Sequence, residues 1–216
     1  GAVAVLFALV SNLFWVRGSE GGRRFRFRLA KLRLSPGLVG GTALAAALAM
    51  VTGGFIFYNT NLLNEYRTSF EGQELQARYE RDYKQYEHMP KPRVVAVDVE
   101  VDIYPDERDA DFRGVLTLTN KTDGPIDSVH VNLISTLEVR RLEFGRPAEL
   151  LHDDEELGYR IYAFDSPFQP GDTTTLTFDL GRTVDGFGNS VTLGVVSNGT
   201  FVNSGQIPSL GYSPNG

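Results

Sequence analysis

The chain of 216 residues has no cysteine, so disulfides, thiolate metal sites and cysteine nucleophiles are excluded. Histidine is nearly as scarce. His88, His130 and His152 are scattered along the chain, with neither H-E-x-x-H nor any other metal-ligand spacing among them. No phosphate loop, no G-x-S-x-G elbow and no G-x-G-x-x-G after a strand is present. His130 falls mid-strand and reads as structural. The HDDEE run at 152–156 has the composition of a hard-cation loop, yet as a short polar stretch between strands it reads as solvated. By themselves the residues show no active site. Charge is also missing over one long stretch, Gly37 to Tyr58, and that absence organises the rest.

Those 22 residues (GLVGGTALAAALAMVTGGFIFY) would extend roughly 33 Å as a helix, enough for the hydrocarbon core of a bilayer. Their many Gly and Ala residues suit close packing against other transmembrane helices. A second apolar stretch, Ala2 to Val16, has the length of the end of a span. It precedes its basic cluster, the reverse of a cleaved signal. Between the two, Arg17, Arg23, Arg24, Arg26, Arg28, Lys31 and Arg33 stand against Glu20 alone, a surplus of six positive charges. The formal net charge of −6 therefore places −12 beyond residue 60. A basic connection between apolar spans predicts a cytoplasmic loop, with the acidic remainder on the other face. Arg interleaved with Phe in RRFRFRLAKLR also has the look of a nucleic-acid patch. The flanking spans account for the charge without one, so no nucleic-acid partner is expected, and anionic headgroups are a secondary partner.

From Asn59 to His88 the pattern turns polar and helical. Leu62, Leu63, Tyr66, Phe70, Leu75, Tyr79, Tyr83 and Tyr86 recur mostly at three- to five-residue intervals, as in an amphipathic helix whose tyrosines form a packing seam. Gly72 marks a place for a kink, and the PKP at 90–92 ends the helix. After Arg93 the period becomes two. VVAVDVEVDIY (94–104) predicts a strand with Val97, Val99, Val101 and Ile103 inward and Asp98, Glu100 and Asp102 outward. Further strands are predicted at 112–120, 127–133, 137–144, 159–164, 173–180, 191–196 and 199–203, with turns between them, GFGN at 186–189 included. Asn120 and Asn198 head glycosylation-type triplets, which matter only on a eukaryotic secretory route. The fold class expected is α+β: transmembrane helices and an amphipathic stalk helix followed by an antiparallel β-sandwich or saddle-like domain.

The run VDVEVDIYP, followed by DFRGVLTLTNKTDGPI, resembles the N-terminal β-domain of the gluzincin zinc aminopeptidases of the membrane alanyl aminopeptidase type. In that family a strand ending in I-x-P leads through a turn to F-x-G and a second strand. The later run NGTFVNSGQIPSLGY is similar to a bacterial branch in which the peptidase follows an ABC-type permease region. The resemblance covers about residues 37–216. Together with the apolar and basic stretches read above, it gives segments at 1–16 (end of a transmembrane helix), 17–36 (basic cytoplasmic loop), 37–58 (transmembrane helix), 59–92 (amphipathic linker helix) and 93–216 (aminopeptidase N-terminal-like β-domain). It further implies a multi-pass protein of the bacterial inner membrane with its β-domain extracytoplasmic. Zinc, the H-E-x-x-H that holds it and the G-x-M-E-N segment would belong to a catalytic domain beyond Gly216. The chain, opening on Gly1 inside an apolar run and closing on SPNG, reads as a piece of a longer polypeptide. Residues near the end of the β-domain hold a peptide substrate's free amine in relatives, and Gln206 or Asn203 occupies the corresponding region. The rival reading is a non-enzymatic, immunoglobulin-like extracytoplasmic module that binds a protein on a membrane anchor.

Because the chain is free of cysteine, its topology is testable with single introduced thiols at Ser19 and Ser128. An impermeant maleimide applied to intact cells is expected to label the cysteine at 128 and spare the one at 19. The reverse pattern contradicts the orientation drawn from the basic connection.

Overall fold

The computed structural model describes residues 1–15, 22–64, 66–187, 195–196 and 199–214. They fall into two compact units: Gly1–Tyr66 with Gly186–Gly188, and Arg67–Asp185 with Asn189–Gly216.

The first unit contains α1 (Ala2–Phe14), α2 (Arg23–Arg33) and α3 (Pro36–Phe57). Ser35 caps α3, its Oγ accepting from Leu38 N at 3.2 Å, and Pro36 takes the first helical position, where a missing N–H costs nothing. Within the apolar helix, Thr42 Oγ1 and Thr52 Oγ1 donate to the carbonyls of Leu38 and Leu48 at 2.8 and 2.7 Å, so no hydroxyl is left bare. A π-helical turn, Tyr58–Leu63, prolongs it. Pro36–Leu63 is the one helix, among the described residues, long and apolar enough to cross a membrane. α1 has 13 residues, short of a span. It packs on α3 where a small residue admits it: a Cβ at Gly41 would lie 3.9 Å from Leu9 Cδ1. The basic connection is more ordered than a loop. Its residues 23–33 are α2, because Arg, Lys, Leu and Ala favour helix and neither Gly nor Pro interrupts them. Arg17 and Glu20 lie outside the described residues.

The second unit opens with α4 (Ser69–Tyr83). The helical pattern from Asn59 breaks ahead of it, and Gly72 lies within α4 without interrupting it. A capping box fixes the new start: Thr68 Oγ1 accepts from Glu71 N at 3.2 Å and Glu71 Oε2 accepts from Thr68 N at 2.6 Å. Strands follow as β1 (Arg93–Tyr104), β2 (Asp109–Thr119), β3 (Ile126–Asn132), β4 (Glu138–Phe144), β5 (Ala148–Asp154), β6 (Tyr159–Phe168), β7 (Thr173–Arg182), β8 (Val195–Val196), β9 (Gly199–Thr200) and β10 (Ser209–Leu210). They make two four-stranded antiparallel sheets, β1-β2-β7-β4 and β10-β3-β6-β5, and a small β8-β9 ribbon. Both sheets contribute to one apolar cluster, with Phe112, Leu116 and Leu118 from β2, Val129 and Val131 from β3, Phe164 and Phe168 from β6, and Leu176, Phe178 and Leu180 from β7.

Three readings need correction. First, β5 was read as polar loop from His152 onward. It is a strand through Asp154, because it pairs with β6 along one edge and needs only one side of that edge covered. Second, β1 does not bury four residues. Val99 and Val101 pack on the cluster, whereas Val97 and Ile103 are 54% and 40% exposed. As the outermost strand, β1 extends past the core at both ends, and a bulge between Val94 and Ala96 interrupts its register. Third, the strand expected over 199–203 is only Gly199–Thr200. Of the strand expected over 191–196, residues 191–194 lie outside the described residues, as do Gly188, Asn189 and Asn198.

Packing explains the F-x-G of β2. Phe112 is fully buried, and two residues on a Cβ at Gly114 would strike Asp98 O and lie 2.8 Å from Phe178 Cζ. Gly158 occupies the β5–β6 turn at φ +67°, where a side chain would also meet Leu133 O. Asn120 is no glycan acceptor. It is buried, with Nδ2 donating to Gly124 O at 2.9 Å and Phe168 O at 2.6 Å, and with Oδ1 accepting from Thr122 N and Oγ1.

Urea unfolding of the chain in detergent checks this register. Val99→Asp is expected to lower stability by about 2–4 kcal/mol and Gly114→Ala by at least about 2 kcal/mol, while Val97→Asp changes it by less than about 1 kcal/mol. Equal losses for Val97→Asp and Val99→Asp contradict the register.

Candidate functional site

The β10-β3-β6-β5 sheet is covered twice. Along β3, Val129 and Val131 face the apolar cluster, so His130 and Asn132 point to the opposite side, where α4 lies. There Tyr79 and Tyr83, one helical turn apart, bury themselves with Tyr159 and Tyr212. Tyr83 stacks on Tyr159 with ring centroids 3.9 Å apart, and Tyr79 stacks on Tyr212 at 5.4 Å. The tyrosine seam read from the sequence is thus a packing surface.

Most polar groups drawn into this layer find a partner in it; the Tyr212 hydroxyl is buried without one among the described residues. His130 Nδ1 lies 2.8 Å from Tyr159 Oη, and Asn132 Nδ2 donates to Tyr79 Oη at 2.9 Å. Tyr83 Oη donates to Asp154 Oδ2 at 2.9 Å, which leaves its oxygen to accept from His152 Nε2 at 2.8 Å. Asp154 Oδ1 in turn accepts from Leu157 N at 3.0 Å and pairs with Arg78 at 3.3 Å. His152 and Asp154 therefore form a docking socket for α4, while Asp153 between them pairs with Arg160 at 2.8 Å. Burial drives the electrostatics. It pushes the Tyr79, Tyr83 and Tyr159 hydroxyls above their ordinary value, with the Asp154 carboxylate adding to the rise at Tyr83. Burial, then the nearby His152, holds His130 below the ordinary histidine range. The Tyr83 and Tyr159 hydroxyls stand 2.8 Å from imidazole nitrogens, but hydroxyls so weakly acidic are poor proton donors. The layer fastens a helix.

A cleft of about 540 Å³ opens beside it, with Gln76, Tyr79, Asn132, Ser135, Ser204 and Ser209 among its walls. Ser204 opens a short 3₁₀ turn, Ser204–Gln206, that ends on one amine-binding candidate, Gln206, and is capped by the other, Asn203; neither is among the walls of the cleft. Asn203 is exposed and spends its Oδ1 on Gly205 N at 2.9 Å, capping the turn. Gln206 is half-buried; its N donates to Asn203 O at 3.1 Å, and its Oε1 is shielded from solvent without a hydrogen-bond partner among the described residues. Among the described residues no three His, Cys, Asp or Glu side chains converge to hold a metal, so the zinc implied by the resemblance does not fit this part of the chain.

No family model matches the chain, and no curated protein matches it. Solved structures of M1 zinc metallopeptidases are similar over part of it. One from Deinococcus radiodurans, bound to a Tyr-Ser-Ala substrate, is 16% identical over 43% of this chain and 21% of its own, with a TM-score of 0.35. A second structure of the M1 zinc metallopeptidase of that organism gives the same identity and TM-score over 43% of this chain and 20% of its own. A two-domain M1 zinc metallopeptidase bound to L-tryptophan gives 16%, 43%, 21% and 0.35. The chain thus spans about a fifth of the length of these proteins. A likeness of that extent bears on neither activity nor substrate.

The docking socket went unread in the sequence. Its signal was the pairing of Tyr79 and Tyr83 at helical spacing with His152 and Asp154 at strand spacing, each pair presenting polar tips to one side.

Two measurements check the layer. Tyr83→Phe removes both hydroxyl contacts and is expected to cost about 1–3 kcal/mol in urea unfolding. Because the folded His130 pKa lies below the unfolded one, the unfolded state binds the extra proton first. Stability is therefore expected to fall as pH drops below about 6.5, and a His130→Gln variant to lose part of that dependence. An unchanged pH profile in the variant contradicts the assignment.

Proposed function

We propose that this chain is the membrane-anchored, non-catalytic part of a permease-linked zinc aminopeptidase, and that its β-domain is the scaffold and substrate-cleft wall for a separate catalytic domain. α3 anchors it in the bacterial inner membrane, α1 belongs to a further span, and the acidic β-domain lies outside the cytoplasm. The observation that carries the reading is the β1–β2 hairpin. The I-x-P and F-x-G that resemble the gluzincin aminopeptidases fall on an actual strand–turn–strand, with Phe112 in the core and Gly114 under Phe178.

Catalysis is assigned elsewhere in the polypeptide, since zinc does not fit the described residues. Within this chain the functional role goes to Gln206. Its shielded Oε1 has no hydrogen-bond partner among the described residues, which suits an acceptor for a substrate ammonium exposed by a shift of the turn. Asn203 is the weaker choice, as its oxygen is already spent on Gly205.

In the full-length protein, Gln206→Ala is expected to lower kcat/KM for peptides with a free amino terminus by about 10- to 100-fold, the scale of a charge-assisted hydrogen bond. Zinc content and turnover of N-acetylated peptides should not change. If the preference for the free amine survives the substitution, Gln206 is structural only. The isolated 216-residue chain is expected to cleave no peptide and to bind no stoichiometric zinc.

A further inference from the structure

The proposed function leaves α2 without a role, yet α2 is the most highly charged element of the chain. Arg23, Arg24, Arg26, Arg28, Lys31 and Arg33 fall within 11 residues with no acid among them. The helix sorts them. Phe25, Leu29 and Leu32 recur at helical spacing on one side, and Arg24, Arg28 and Lys31 recur beside them. Phe25 is 51% and Leu32 79% exposed while Leu29 is half-buried, so two of the three apolar side chains lack cover among the described residues. On the other side of the helix Ala30 is buried, and Phe27, itself 61% exposed, meets Phe14 of α1 edge-on at 5.5 Å.

Two contacts set the level of α2. Arg33 Nη1 donates to the carbonyls of Asn12 and Trp15, at 3.1 and 2.6 Å, at the C-terminal end of α1, where helix carbonyls lack intrahelical partners. Two residues beyond Arg33, Ser35 caps the start of α3. The basic helix is thereby held at the one end of the helical hairpin where α1 stops and the apolar span begins. Trp15, the only tryptophan of the chain, is exposed at the same level, as expected at a headgroup boundary.

We infer that α2 lies along the membrane interface and recruits anionic phospholipids, with Phe25, Leu29 and Leu32 entering the acyl boundary and Arg24, Arg28 and Lys31 receiving the lipid phosphates. This rests on the membrane reading of α3. Charge complementarity selects the occupant: a zwitterionic surface satisfies the apolar stripe, but only an anionic one also meets the neighbouring cations. The consequence is a protein that gathers anionic lipid around the cytoplasmic end of its own anchor.

Trp15 supplies the probe. The full chain is reconstituted in nanodiscs containing equal mole fractions of phosphatidylcholine and phosphatidylglycerol, with either one or the other brominated, and quenching of Trp15 fluorescence is read. Brominated phosphatidylglycerol is expected to quench at least about threefold more efficiently, reflecting local enrichment. The combined Arg24→Gln, Arg28→Gln and Lys31→Gln variant should bring the two lipids level. Quenching by brominated phosphatidylcholine that persists in this variant, rising as the anionic lipid is released, shows that Trp15 remains seated, and Arg24→Lys with Arg28→Lys should keep the preference. Equal quenching in the wild-type chain, or a preference that survives the triple variant, overturns the inference while leaving the membrane reading standing. Quenching by neither lipid overturns the membrane reading itself. Tight binding of a single-stranded RNA oligonucleotide together with equal lipid quenching assigns α2 to nucleic acid instead.

Discussion

From Val129 to Asn132 β3 is buried on both faces, and much of the second unit follows from that. A strand with one face in water can place polar side chains there at no cost. β3 has Val129 and Val131 against the apolar cluster and His130 and Asn132 against α4, so its polar residues must be satisfied from across the layer. Tyrosine meets the requirement, because its ring fills the apolar gap while its hydroxyl reaches the imidazole or the amide. Tyr79 and Tyr159 do this for Asn132 and His130, and Tyr83 does it for His152 and Asp154 at the edge. The helix is consequently part of the domain and not a free stalk. The cleft beside it has a wall of α4 on one side and of sheet and 3₁₀ turn on the other.

Much of this was legible from period alone. The switch from three-to-four to two after Arg93 located β1, and the apolar run located α3. What period could not supply was position within a sheet. Val97 and Ile103 alternate with Val99 and Val101 in the sequence, yet only the middle pair meets the core, because β1 is outermost and longer than the surface it covers. β5 was hidden for a related reason. An edge strand can carry exposed Leu150 and Leu151 beside acids without losing its pairing, so its pattern imitates a loop. The kink expected at Gly72 is absent and α4 starts ahead of it, because a capping box, not a glycine, sets the start of the helix. Asn203 and Gln206 were candidates only through the family resemblance, and which of the two oxygens is spent is a matter of turn geometry.

The division of labour proposed for the chain follows from what its residues can and cannot hold. The first unit carries apolar length, small-residue packing and an uncovered basic stripe, properties a bilayer uses. The second carries a well-satisfied core, a cleft and an acceptor without a partner among the described residues, but no convergent metal ligands among them. A wall and an anchor are what such a chain can contribute to a peptidase.

The central claim is that chemistry is supplied by another part of the same polypeptide. The most direct test is the intact mass and zinc content of the gene's full product, isolated from membranes in detergent. The account predicts a chain several hundred residues longer than this one, carrying H-E-x-x-H and one zinc per polypeptide. A zinc-free product whose chain ends close to Gly216 would contradict it.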